Sequence, residues 1–297
     1  MAGFSVLLAA LATFFFKSSS FAVLNPQGTV AAQQRDLIIT ATLLMLIVVV
    51  PVFIMTFAFA WRYREGNRKA KYTPDWDHNY LAEFTWWTLP LIIIVILSGI
   101  IWRSSHALDP YQPLKDDKKA LTVQVVALEW KWLFIYPEQG IATVNYVQFP
   151  ENTPINFEIT ADAPMNSFWI PQLGGQVYAM AGMETKLHLM ADKTGEFQGS
   201  SANLSGDGFS GMKFTAKATT QADFDKWVQS AKQSAGKLGM DEYDSLSEPS
   251  KDNPPATYSL GQNDLHDKII MKYMRPDPQQ KAEEDNYPNT EEALHRH

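Results

Sequence analysis

The stretch Phe197 to Phe214, FQGSSANLSGDGFSGMKF, decides how this chain is read. Taken alone it is a Gly- and Ser-rich turn between two strands. It carries Ser201, Asn203, Ser205, Phe209 and Met212 at fixed intervals. The chain of 297 residues contains no Cys, which removes disulfides, zinc fingers, thiolate metal sites and thiol catalysis at once. The net charge of −7 argues against nucleic acid as a partner, because no basic stripe is available to neutralise phosphates.

Three further runs flank the stretch. They are Glu129-Trp130-Lys131-Trp132 with Tyr136-Pro137-Glu138-Gln139-Gly140, then Asn166-Ser167-Phe168-Trp169-Ile170-Pro171, then Tyr178-Ala179-Met180-Ala181-Gly182-Met183. Together with the loop they resemble subunit II of the haem–copper respiratory oxidases, and of these the cytochrome bo-type ubiquinol oxidases in particular. The resemblance covers roughly Leu24 to Met274. In members that take electrons from cytochrome c, the loop reads C-x-E-x-C-x-x-x-H-x-x-M and holds two coppers, with one more His from an upstream strand. On that frame Ser201 and Ser205 stand at the cysteine positions, Asn203 at the glutamate, Phe209 at the histidine and Asn166 at the upstream histidine. Met212 is the one ligand type retained. Copper there needs soft thiolates and imidazole, and hydroxyl, amide and phenyl groups do not replace them.

Two uncharged runs precede this region. The first, residues 37–61, is long enough to cross about 30 Å of hydrocarbon and contains Pro51. The second is expected over 84–102, with Trp86, Trp87 and Trp102 at its ends, where indoles favour the interface. The loop between them, 62–83, holds Arg62, Arg64, Arg68, Lys69 and Lys71, whereas Arg35 is the one cation near the start of the first span. The positive-inside rule makes that loop cytoplasmic and everything after Trp102 external. The first 23 residues include a short apolar run, Val6 to Phe16, of signal-peptide length. No Lys or Arg precedes it, so a cleaved signal and an uncleaved apolar segment both stand. Relatives carry a lipoprotein Cys hereabouts; Ser19 in its place removes that anchor.

After a polar linker the period changes to two. Val123 and Val125 alternate with polar residues, the phase slips at Val126, and Leu128, Trp130, Trp132, Phe134 and Tyr136 alternate again. That predicts one strand with a bulge. Ile155-Phe157-Ile159 and Leu187-Leu189 predict further strands, with His188 between the last two facing solvent. Short strands with Gly, Pro and Asn turns point to a β-sandwich, and the resemblance makes it cupredoxin-like, over 121–218. Trp130, Trp132 and Met212 are read as packing residues. Beyond it, over 219–274, a helical extension is expected. Phe224, Trp227, Val228 and Ala231 form one helix face with Thr220 as its cap, and Leu265 to Met274 form a second amphipathic piece. Residues 275–297 read as an acidic, disordered tail.

The fold class expected is thus a membrane-anchored all-β protein with two transmembrane helices and a helical tail. The resemblance implies a multi-pass subunit of the bacterial inner membrane, in a complex that oxidises ubiquinol, reduces oxygen to water and pumps protons. It implies no cofactor in this chain, with haems and CuB in subunit I, and subunits I, III and IV and membrane lipid as partners. Glu83, at the cytoplasmic mouth of the second span, matches a glutamate at the entrance of a proton pathway of subunit I. A span-ending solvated carboxylate is the plain alternative. A menaquinol oxidase subunit, or an anchored periplasmic binding or assembly module without an oxidase, also fits the residues.

Overall fold

The computed structural model describes residues 21–71, 73, 77–234 and 236–274. Most of the signal-like segment and the expected disordered tail lie outside them. The described residues divide into two compact units, one within 32–109 and one of 21–31 with 110–274.

The first unit holds α2 (Tyr80–Ala107) and all but the first three residues of α1 (Thr29–Arg62), both long and apolar. Each runs several residues beyond its uncharged stretch. The most apolar window of α1 is entirely unburied within the chain, and that of α2 nearly so. Large residues such as Phe53, Phe57, Trp87 and Val95 lie exposed. A soluble core helix would bury them, so this is the surface of helices meant for lipid. Pro51 and Pro90 sit inside the helices without ending them. Asn79 caps α2, its side chain accepting from the Ala82 N–H at 3.0 Å.

The second unit is a two-sheet cupredoxin-like sandwich of twelve described strands. In chain order they are β1 (Leu121–Leu128), β2 (Lys131–Tyr136), β3 (Ile141–Val144), β4 (Tyr146–Pro150), β5 (Ile155–Ala161), β6 (Asn166–Trp169), β7 (Val177–Ala179), β8 (Thr185–Leu189), β9 (Gly195–Ser201), β10 (Lys213–Thr219), β11 (Lys237–Leu238) and β12 (Ala256–Leu260). One sheet has the order β11-β12-β3-β2-β1-β5-β8 and the other β4-β10-β9-β6-β7. β1 lies antiparallel to β2 and parallel to β5. The inner faces bring together Val123, Val125, Trp132, Phe134, Phe157, Phe168 and Phe214, all buried. Their aromatic rings meet edge-on or tilted, except Phe168 and Phe214, which stack at 5.1 Å. Residues 27–31 join the same unit. The Gln27 N–H donates to the Gln172 carbonyl, the Ala31 N–H to that of Leu173, and Thr29 Oγ1 to Asp192 at 2.7 Å.

Three sequence expectations are corrected. The phase slip at Val126 is not a bulge. β1 ends at Leu128, the chain turns through Glu129 and Trp130, and β2 returns antiparallel. Trp130 adopts φ +62°, a conformation suited to a tight turn. The alternation seemed to slip because both faces of this sheet are covered. Trp132 and Phe134 point into the sandwich, while Val126, Leu128, Leu133 and Ile135 form a second core on the opposite face. His188 does not face solvent. It is 8% exposed, and its Nδ1 lies 2.9 Å from the Pro110 carbonyl, because the linker after α2 crosses over it.

The third correction concerns the extension, which is more than two helices. α3 (Gln221–Lys232) is capped by Thr220 as its pattern predicts, with Phe224, Val228 and Ala231 buried. The polar stretch beyond it then folds as β11 (Lys237–Leu238), α4 (Met240–Ser247) and β12 (Ala256–Leu260), before α5 (Leu265–Met274). β12 adds to the edge of β3, and Leu238, Tyr243, Leu265 and Ile269 close the second core.

Polar anchors hold this extension. Lys131, 2% exposed, donates to the Glu248 carbonyl at 2.8 Å and to Ser250 Oγ. The Asp162 carboxylate accepts from Tyr243 Oη at 2.6 Å, from Lys272 Nζ at 2.9 Å and from the Tyr273 hydroxyl. Burial pushes the Asp162 carboxyl up, but these three donors and the Lys272 charge outweigh it and hold the group below the usual carboxylate range. Its folded-state pKa therefore lies below the unfolded value of about 3.9. The anchor's stabilisation is present above that value and is lost as the pH falls through the folded-state pKa. Amide protection factors across residues 240–274, taken relative to the intrinsic exchange rate at each pH, are thus expected to fall on acidification below about pH 4. Asp162→Asn should show fast exchange already at neutral pH. Equal protection in variant and parent would count against the anchor.

Candidate functional site

The loop between β9 and β10 lies at one end of the sandwich, beside the start of β6. The Ser201 hydroxyl donates to Asn166 Oδ1 at 2.5 Å and lies 3.3 Å from the Asn203 carbonyl. The Asn166 amide donates to the Pro164 carbonyl at 2.9 Å, and the Asn203 amide to that of Met165 at 3.0 Å. Asn166 is 1% and Ser201 7% exposed. The backbone aligns the same pieces: the Ser201 N–H donates to the Met212 carbonyl, and the Ala202 N–H to that of Ser167. So strands distant in sequence bring Asn166, Ser201 and Asn203 into one hydrogen-bonded group, with the buried Met212 on the adjoining strand start.

Ser205 and Phe209 play other parts. The Ser205 carbonyl accepts from the Trp130 indole at 3.0 Å, while its own buried hydroxyl has no partner. Phe209, half-buried, opens a short 3-10 turn to Gly211 that delivers Met212 inward. Trp130 was readable as a packing residue, but not as the clamp of this loop. It lies against Gly208, where an added Cβ would come within 2.3 Å of the ring, so only glycine admits the indole. Lys251 covers the same ring at 5.3 Å. No local pattern announces this, since Trp130 and Gly208 meet only through the fold.

Chemically the group is a poor match for copper. Two neutral hydroxyls, two amides, a phenyl ring and one thioether offer no thiolate and no imidazole. Among the described residues, no three of His, Cys, Asp and Glu gather where they could hold a metal ion.

The other sequence candidate, Glu83, lies in the first turn of α2. Its carboxylate is 3.3 Å from His78 Nδ1 and 3.4 Å from the Asn79 N–H, which donates to it. Glu83 therefore reinforces the cap as well as presenting a carboxylate at the helix mouth. Its side chain keeps 35% of its surface exposed.

Residues 138–219 match the family described as cytochrome c oxidase subunit II, periplasmic domain, and residues 232–277 match the COX aromatic rich motif. The cytochrome bo(3) ubiquinol oxidase subunit 2 of Pseudomonas putida is 54% identical over 267 residues, covering 90% of this chain and 85% of that one. The chain belongs to the subunit 2 family of bo(3)-type ubiquinol oxidases. The ubiquinol oxidase subunit 2 of Acetobacter aceti is 48% identical over 253 residues, or 84% of this chain and 82% of that one. The crystal structure of the periplasmic domain of subunit II of cytochrome oxidase from Bradyrhizobium japonicum overlays with a TM-score of 0.39 at 24% identity, covering 41% of this chain and 98% of that one.

In this bo(3)-type subunit the two helices are membrane spans and the sandwich is periplasmic. The loop joining the spans is then on the cytoplasmic side. The aromatic-rich match coincides with the extension whose Tyr243 and Tyr273 reach Asp162.

Proposed function

We propose that this chain is a copper-free subunit of a proton-pumping ubiquinol oxidase. It supports subunit I from two membrane spans and a periplasmic cap, and it admits protons at Glu83. Haems and CuB reside in subunit I, with subunits III and IV completing the complex. The observation that carries the copper-free reading is the Ser201–Asn166 hydrogen bond, which occupies ligand positions with groups that do not bind copper. Electrons arriving from ubiquinol within the membrane need no outer copper relay. The subunit 2 names of the ubiquinol oxidases of Pseudomonas and Acetobacter support ubiquinol over menaquinol.

Purification of the chain in mild detergent is the test. Expected are co-purifying haem, oxygen uptake driven by ubiquinol and no electron paramagnetic resonance signal of a two-copper centre. Such a signal would overturn the copper-free reading. A colourless lone chain would favour the binding or assembly module instead.

For Glu83, the support is its place at the cytoplasmic start of α2 and its partial exposure. Such a carboxylate can gather protons and pass them to a buried water chain. Glu83→Gln preserves size and leaves an oxygen to accept the Asn79 N–H, while removing the charge. Turnover with excess ubiquinol should fall several-fold in complexes matched for haem, and Glu83→Asp should keep much of it. Parental turnover in the Gln variant would reduce Glu83 to a helix cap.

A further inference from the structure

An open cleft of about 530 Å³ lies where α1 ends, walled by Phe59, Tyr63, Arg64, Asn67, Lys71 and Thr73. Phe59 and Tyr63 are one helical turn apart and exposed, and Phe59 belongs to the uncharged span. The chain then folds back in a compact turn rather than trailing away. The Asn67 N–H donates to the Arg64 carbonyl at 3.1 Å, the Ala70 N–H to that of Asn67, and the Asn67 side-chain amide to that of Arg62 at 2.5 Å. Gly66, at φ +85°, supplies the left-handed residue this turn requires. Arg64 is held in place. Its guanidinium lies 4.4 Å from the Trp61 ring centroid and donates to the Trp61 carbonyl at 3.2 Å. A guanidinium has five N–H donors, so most of them remain available.

The cleft thus has an apolar aromatic wall on its membrane side and two cations, Arg64 and Lys71, on its aqueous side, with no carboxylate among the described residues that line it. We propose that it seats the headgroup of one anionic phospholipid of the cytoplasmic leaflet. The phosphodiester lies between Arg64 and Lys71, and an acyl chain runs along Phe59 and Tyr63. Charge complementarity singles out this occupant. The cytoplasmic leaflet is negatively charged, and basic juxtamembrane pockets are drawn to its headgroups. The aromatic wall separates a lipid from a free phosphate, which has no apolar part to bury there.

The test uses the full-length chain in mild detergent, with the subunits that accompany it, and phosphatidylglycerol as the probe read by native mass spectrometry. One retained phosphatidylglycerol per chain is expected, in preference to phosphatidylcholine. Each cation near the membrane surface contributes about fivefold in affinity, so Arg64→Gln or Lys71→Gln should weaken retention roughly fivefold, and the pair about thirtyfold. Arg64→Lys with Lys71→Arg should restore most of it. Arg68→Gln with Lys69→Gln, which changes two cations of the same loop outside the cleft, should cost much less. Equal losses for both Gln pairs would mean diffuse attraction and would overturn the site. So would equal retention of phosphatidylcholine, displacement by millimolar inorganic phosphate, or a cleft closed by another subunit and holding no lipid.

Discussion

Copper uptake with the purple colour of a two-copper thiolate centre is the expected result of changing five residues together: Asn166→His, Ser201→Cys, Asn203→Glu, Ser205→Cys and Phe209→His. The effect is all-or-none, because the parent lacks every thiolate and imidazole the centre uses. The scaffold is in place. Asn166 and Ser201 already touch at 2.5 Å, Met212 is buried beside them, and the Trp130 indole fastens the loop at Ser205. The experiment requires the chain to continue at least to Met274. A fragment stopped near Gln233 would lose β12 and expose the second core of Val126, Leu128, Leu133 and Ile135. A five-residue variant that folds and never takes up copper would count against the alignment of this loop with the copper-binding one. A variant lacking only the Ser201→Cys change should bind no such centre, which guards against adventitious metal.

Phe168→Ala should be the most damaging single change in the sandwich. Phe168 is fully buried and its ring meets those of Trp132, Phe134, Phe157 and Phe214 at 5.1–6.2 Å between centroids. Truncating such a side chain costs about 3–5 kcal/mol, the sum of lost transfer energy and an unfilled cavity. Domains of this kind have roughly 5–15 kcal/mol in all, so the loss is a large share of it. A fall in Tm of about 10–15 °C is expected by circular dichroism on the full chain. Phe168→Leu retains most of the volume and should cost well under half as much. Phe168 also lies two residues beyond Asn166 on β6, so its loss loosens the strand that carries one corner of the loop. A melting point unchanged by Phe168→Ala would mean that the aromatic cluster does not hold the two sheets together.

Much of this was legible in residue order, for local reasons. A run such as Leu37 to Trp61 contains no charge, and no fold can supply one. The absence of Cys settles the ligand chemistry before any coordinate is known. Thr220 followed by a helical face, and Asn166, Ser201 and Asn203 at ligand spacing, depend on neighbours close along the chain or on a motif frame.

What could not be read there depends on which segment covers which face. Val126 and Leu128 looked like a slip in phase because an alternation test assumes that one face is wet. Here the extension covers the outer face of β1 and β2, and both faces became apolar. His188 sits between two inward leucines and should face water, yet the linker at Pro110 lies across it. Residues 237–260 are too polar to announce a strand, and β12 exists because the edge of β3 offers unpaired backbone groups to complete it. The Asp162 anchor joins residues 81 to 111 positions apart, and the Trp130–Gly208 contact joins the turn between β1 and β2 to the loop before β10. Composition and short-range periodicity carry no information about such pairs, since only the folded path of the chain brings them within reach.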